Sequence, residues 1–430
     1  MSAGSTPLGC ASLVDTAAAT TEPLGAPDQT IPSVAGPLVA LLAIALIFRP
    51  QVIAIGPLLP SIQAGLGMSH GLAGALSAIP VLCMGIFAPL GPRLARRLGA
   101  RWALAACAVL VIVFGLVRLV VPGPMLVLLL TFGVGLGMGL AGPIFPLIVR
   151  TRLPARPALG TGAYASGLVL GGTLAAALAI PLAGASGDWR FSLAAVTLAG
   201  IGSLAIWLVL APADAVLDSS VVPSRIPWRS PIGWVLGLVF GLQSTLFYGV
   251  VAWLAAVYID RGWSGPAAAQ LVAVFSAVTL AGTVLTPLVA DRIGTRRAQL
   301  VVSSVAVLVG TLGVVLVPDA ALVWAVLLGA GMGAIFPIVL TLPVDVGGRP
   351  TEVAATAAVM LLVGYLFASV GPFVFGVARD VSGDFALSLW LLVAAAAFLL
   401  ALCALMTPDR LRRIGAHAAT TAGDRPTRPA

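Results

Sequence analysis

The sequence predicts an all-α membrane protein: twelve transmembrane helices in two six-helix bundles related by an internal repeat. Three observations carry this. Of the 430 residues, 60% are hydrophobic and only 9% are charged, against about a quarter charged in soluble domains. Twelve apolar runs approach the ~20 residues that cross a hydrocarbon core as a helix. Landmarks of the first half return in the second at a nearly constant offset.

Residues 1–33 are rich in Ala, Thr and Pro and lack a basic n-region. They read as a disordered tail, not a signal peptide. The spans follow at 35–59, 71–91, 102–121, 125–149, 159–183 and 191–212, which place the first bundle at 34–212. A linker at 213–231 contains Pro223, Pro227 and Pro231. The second bundle, 232–406, holds spans at 232–256, 267–289, 299–317, 321–343, 354–377 and 386–406, and a tail occupies 407–430. Several spans contain Pro and Gly, which membrane helices tolerate.

An even number of spans puts both termini on one side. Eighteen of the 23 arginines fall in loops and tails on that side and three, Arg190, Arg261 and Arg379, on the other; there is no Lys. By the positive-inside rule the termini are cytoplasmic, in what is expected to be a bacterial inner membrane. The acidic residues of the first tail, Asp15, Glu22 and Asp28, count little in that rule. The net charge of +8 is therefore topogenic, and nucleic acid is not an expected partner.

Other classes are excluded residue by residue. The four cysteines, Cys10, Cys83, Cys107 and Cys403, are scattered without metal-ligand spacing, and neither metal nor cofactor is expected. No His, Asp or Glu lies well within a span, so the catalytic pair of a membrane-embedded enzyme is missing. GMGLAG at 137–142 matches G-x-G-x-x-G but lies inside an apolar span with no preceding strand; it reads as a helix-packing surface.

The repeat has four landmarks. PRLARRLGAR at 92–101 returns as PLVADRIGTRR at 287–297, GMG at 137–139 as 331–333, IFP at 144–146 as 335–337, and SGDW at 186–189 as SGDF at 382–385. Two six-helix halves joined in this way resemble the major facilitator superfamily, which implies a substrate site between the halves and transport by rocking one against the other. The loops at 92–101 and 290–298 are similar to that superfamily's G-x-L-x-D-R-x-G-R-R loop. The second copy keeps Asp291, Arg292, Arg296 and Arg297, and the resemblance implies a gating role for them. In the first copy Arg96 stands where the Asp would be.

Two charges lie well within spans, Arg49 in LIFRPQVIAIGPLLPSI and Arg118 in GLVR. An arginine at a helix centre costs about 2.5–3.5 kcal/mol on insertion scales, so each requires an anion or a wet cavity, or snorkels to the headgroups. At ~1.5 Å per residue, Arg49 lies about 21 Å and Arg118 about 24 Å from the cytoplasmic start of their spans. Pro50 cannot donate a backbone hydrogen bond and frees a carbonyl one turn back, which loosens span 1 beside Arg49. In the second half, GLQSTLFYGVVAWL at 241–254 offers Gln243, Ser244 and Tyr248 at matching depth, and Tyr365 of span 11 joins them. Gln243 reads either as a substrate contact or as an interhelical hydrogen bond. Trp253 is expected in the interfacial belt.

These motifs, with LSAIPVLCMGIFAPLGPRLARRLG in span 2 and VGYLFASVGP in span 11, resemble the cyanate porter family, which includes 2-nitroimidazole transporters. The resemblance implies a secondary transporter for small, often anionic solutes. It maps Arg49, Arg118, Gln243, Ser244 and Tyr248 onto the family's polar positions. Ile47, Gly142 and Leu361 stand where that family often has Asn, Asn and Gln, so the cavity is less polar. An anion with an apolar body, or an aromatic heterocycle, fits better than cyanate. The expected partners are a small-molecule substrate and the lipid bilayer, and the expected state is a monomer.

Overall fold

The computed structural model describes residues 35–211, 230–289, 295–345 and 350–406. The expected tails, nearly all of the 213–231 linker, and Asp291 and Arg292 lie outside those residues. The described chain is all-helical, with twelve helices long and apolar enough to cross a bilayer. Spans 1 to 6 are Ala35–Ile53, His70–Leu98, Ala100–Val120, Pro124–Arg152, Leu159–Ser186 and Trp189–Leu210. Spans 7 to 12 are Pro231–Asp260, Gly265–Thr286, Arg296–Leu316, Pro318–Pro343, Ala355–Ser382 and Ala386–Leu405. Large apolar side chains such as Leu129, Val120 and Val209 point outward, as the surface of a membrane bundle must.

Span 1 departs most from a plain helix. It runs from Ala35 to Ala45, breaks at 46–49, resumes over Pro50–Ile53 and continues as Ile55–Leu66. At the break, Ile47 N–H donates to Ile44 O and Phe48 N–H to Ala45 O, both at 3.3 Å, a tighter three-residue pattern. Pro50 has no N–H for the Leu46 carbonyl, which is why the helix cannot pass through. Span 5 closes over the same point: a Cβ on Gly171 would sit 2.6 Å from the Leu46 oxygen, so only glycine lets the helices approach there.

Spans 2 and 11, 5 and 8, and the continuation of span 1 with span 7 pack across the two bundles. The crossing of spans 1 and 7 is very close, since a Cβ on Gly56 would lie 1.9 Å from the Val251 carbonyl oxygen. Span 7 is the most enclosed of the twelve, and its polar residues therefore face protein. Trp253 is corrected by this packing. It is fully buried, donates from Nε1 to Pro372 O at 2.9 Å and stacks on Phe375. The exposed tryptophans near span ends are Trp102, Trp234 and Trp390.

Candidate functional site

The break in span 1 turns Arg49 into a cavity between the two halves. Spans 1 and 5 supply one wall, with Arg49, Ile53, Gly172 and Thr173; spans 7, 8, 10 and 11 supply the other, with Gln243, Ser244, Phe247, Tyr248, Ser276, Phe336 and Tyr365. About 590 Å³ between these walls is free of protein atoms, part of it open to solvent. None of the lining residues is acidic.

Arg49 is half-buried, and among the described residues its guanidinium makes no hydrogen bond or ion pair. Its neighbour is the Phe247 ring, 5.4 Å from the guanidinium carbon to the centroid. A cation–π contact contributes about 0.5–2 kcal/mol, less than the cost of holding arginine at this depth. The cavity thus carries a cation with five unused donors in a planar fork.

Of the expected site residues, Gln243, Ser244, Tyr248 and Tyr365 line this cavity together with Arg49. Gln243 is 3% exposed, and its Oε1 accepts from Ser244 Oγ at 3.2 Å. Its amide nitrogen has no hydrogen-bond partner among the described residues and is left to donate into the cavity. Tyr248 packs edge-to-face on Phe247 and reaches Met84 Sδ of span 2 at 4.0 Å. Tyr365 lies edge-on to Phe240.

Arg118 is not brought to the cavity. It is 2% exposed and neither snorkels nor meets an anion. Nη2 donates to Gln51 Oε1 at 2.9 Å and Nη1 to Thr131 Oγ1 at 3.4 Å, while Gln51 Nε2 donates to Thr197 Oγ1 at 2.9 Å. Neutral partners from spans 1 and 4 therefore hold it, Thr197 of span 6 holds Gln51, and Gln51 ties that cluster to the segment beside Arg49. Sequence reasoning missed Gln51; the one signal was a polar side chain two residues from Arg49 in an apolar run. It also missed Phe247, Thr173 and Ser276, which look ordinary in a membrane span.

The model of the Major Facilitator Superfamily matches residues 41–372. The chain belongs to the major facilitator superfamily. It is 31% identical to the cyanate transport protein CynX of Escherichia coli (strain K12) over 81% of this chain and 91% of that protein. It is 29% identical to the 2-nitroimidazole transporter of the same organism over 82% and 90%. The crystal structure of a D-xylose-proton symporter superposes with a TM-score of 0.67 at 18% identity, over 84% of this chain and 96% of that one, which is a likeness of fold. The resemblance read from the span motifs is borne out, and the chain is a multi-pass membrane transporter.

On the side away from the termini, this transporter has a clasp between its halves. Asp380, near the end of span 11, caps the start of span 2. Oδ1 accepts from His70 N–H at 3.0 Å and lies 2.8 Å from the His70 ring Nδ1, and Oδ2 accepts from Gly71 N–H at 2.7 Å. A carboxylate at a helix N-terminus is favoured both by the orphan N–H groups and by the helix dipole. Asp380→Ala is expected to open that side. Charge-assisted bonds contribute about 1.5–3 kcal/mol, so the open population should rise at least about tenfold. The check is alkylation by an impermeant maleimide of a single Ser244→Cys, in a background without native cysteines. Unchanged labelling from that side would remove Asp380 from the clasp.

The expected gating arginines that are described lie against their own half. Arg296 Nε is 3.7 Å from Asp345 Oδ2, and burial pushes that carboxyl up while Arg296 pulls it back. Arg297 donates from Nε and Nη2 to Ala404 O, at 3.0 and 2.7 Å, where a cation suits the end of span 12.

Proposed function

We propose that this transporter carries a small organic anion with an apolar body, by alternating access, with Arg49 as the anion contact. The observation that supports this most is the unpaired guanidinium in a cavity free of carboxylates. Arg118 is held by neutral hydrogen-bond partners. Arg49 has none, and a visiting anion supplies one. Gln243, Tyr248 and Tyr365 close the site from the second half with donors and aromatic walls. Arg118 acts at a distance through Gln51. Arg296 and Arg297 shape the gate by anchoring span 9 to spans 10 and 12.

The arginine distribution supports an inner-membrane orientation with cytoplasmic termini. An intramembrane carboxylate or histidine is the usual proton-coupling group; none lines the cavity, which favours a substrate gradient, anion exchange or a protonated substrate as driving force.

A second reading has its own observation. Phe247, Tyr248, Phe336 and Tyr365 make the walls largely aromatic, and one relative is named a 2-nitroimidazole transporter, so efflux of neutral aromatic heterocycles is the competing function. A thermal-shift screen of purified protein with cyanate, benzoate and 2-nitroimidazole, followed by counterflow in liposomes, separates the two. The anion reading expects benzoate to stabilise and exchange while benzamide does not compete. Competition by benzamide as strong as by benzoate would favour the second reading.

A further inference from the structure

Two hydroxyls in the cavity have no hydrogen-bond partner among the described residues. Ser276 of span 8 is 5% exposed, and its Oγ is buried without a hydrogen bond; Thr173 Oγ1 of span 5 is in the same condition. Both line the cavity that contains Arg49. Hydroxyls in membrane helices ordinarily bond back to a carbonyl one turn earlier. Their neighbours do so, Thr279 to Phe275 O at 2.7 Å and Thr283 to Thr279 O at 2.8 Å. Ser77 Oγ is also unpartnered but does not line the cavity.

We infer that Thr173 and Ser276 form a second polar subsite, which reads an oxygen-bearing substituent on the body of the anion, so that the preferred cargo is a hydroxy-substituted carboxylate over its plain hydrocarbon counterpart. This rests on the reading of the cavity as the transport site. A hydroxyl can donate and accept, so the pair satisfies a ligand hydroxyl in either sense. The two residues come from opposite halves, and spans 5 and 8 pack directly on each other. A group held by both therefore favours the closed arrangement in a way that a plain hydrocarbon does not. A site built to hydrogen-bond a substrate oxygen discriminates against the analogue lacking it, because its own polar groups are then left unpaired.

The test measures binding of benzoate and of the three monohydroxybenzoates to purified full-length protein by calorimetry. Wild type is expected to prefer at least one hydroxy isomer over benzoate by about tenfold, the size of a net hydrogen bond. The double variant Thr173→Val, Ser276→Ala keeps side-chain volume close to native. It should lose that preference. A wild type that binds no hydroxybenzoate more tightly than benzoate overturns the inference. So does a double variant with an unchanged ratio, which would mean that the hydroxyls hold only water. Arg49→Ala keeps the two readings apart. If it leaves both affinities intact while the double variant abolishes the preference, the subsite stands and the anion role of Arg49 fails. If Arg49→Ala weakens both ligands equally and the ratio survives the double variant, the reverse holds.

Discussion

Replacing Arg49 with alanine is expected to cut exchange of small organic anions steeply while leaving the protein folded and no less stable. The two halves of that result have one cause. The guanidinium makes no hydrogen bond or ion pair among the described residues, so its removal breaks only the contact with Phe247. The cost of an arginine at membrane depth, about 2.5–3.5 kcal/mol, is relieved. The bound anion loses its charge-assisted partner, about 1.5–3 kcal/mol, and transport falls by about 100-fold at the upper end of that range. Arg49→Lys keeps the charge but not the planar fork and is expected to be intermediate. Thermal unfolding and liposome counterflow on the same preparations check both signs. A destabilised Arg49→Ala that still exchanges anions would show a structural arginine.

Gln51→Leu gives the opposite pattern, a large loss of stability first. It removes the 2.9 Å acceptor of Arg118 and the donor to Thr197 in one change. Arg118 keeps only its 3.4 Å contact to Thr131; breaking a buried charge pair costs about 3–5 kcal/mol, and a charge that loses a neutral amide and keeps a hydroxyl belongs at the low end. Arg118→Met in the same chain removes the orphaned charge, so the double variant should recover most of the loss. Strict additivity of the two changes would contradict the cluster. Arg118→Met alone should preserve the preference for anions over neutral analogues, since Arg118 is outside the cavity, whereas Arg49→Ala should not. Melting temperatures in detergent give the first comparison, and competition by benzoate and benzamide gives the second.

Much of the fold was legible because lipid imposes a coarse rule. Spans reveal themselves by length and hydropathy; most ends agree within a few residues, while span 2 runs on to Leu98 and span 11 to Ser382. The break at 46–49 was legible because Pro50 acts on its own helix, whatever the rest of the chain does. The site was legible in part. Arg49, Gln243, Tyr248 and Tyr365 are unusual residues for a span, Ser244 adjoins Gln243, and all five line the cavity. Arg118 was equally unusual, yet its partners Gln51 and Thr131 come from two other spans, and Thr197, which holds Gln51, from a third. No local pattern reports which helix faces which. Thr173 and Ser276 are too common in apolar helices to signal a role. Asp380 read as a loop residue because span 11 was ended at 377; the helix continues to Ser382, and its contact with the start of span 2 is purely tertiary. Trp253 failed for a related reason, since nearness to a span end does not tell lipid from a neighbouring helix.

The measurement closest to the central claim is the anomalous diffraction signal of 4-bromobenzoate soaked into crystals of the protein. The account predicts one bromine site inside the cavity, with the carboxylate at hydrogen-bond distance from the Arg49 guanidinium and the ring against Phe247. That site should be absent in Arg49→Ala crystals. A carboxylate turned away from Arg49, or an equally occupied site in the alanine variant, would contradict it.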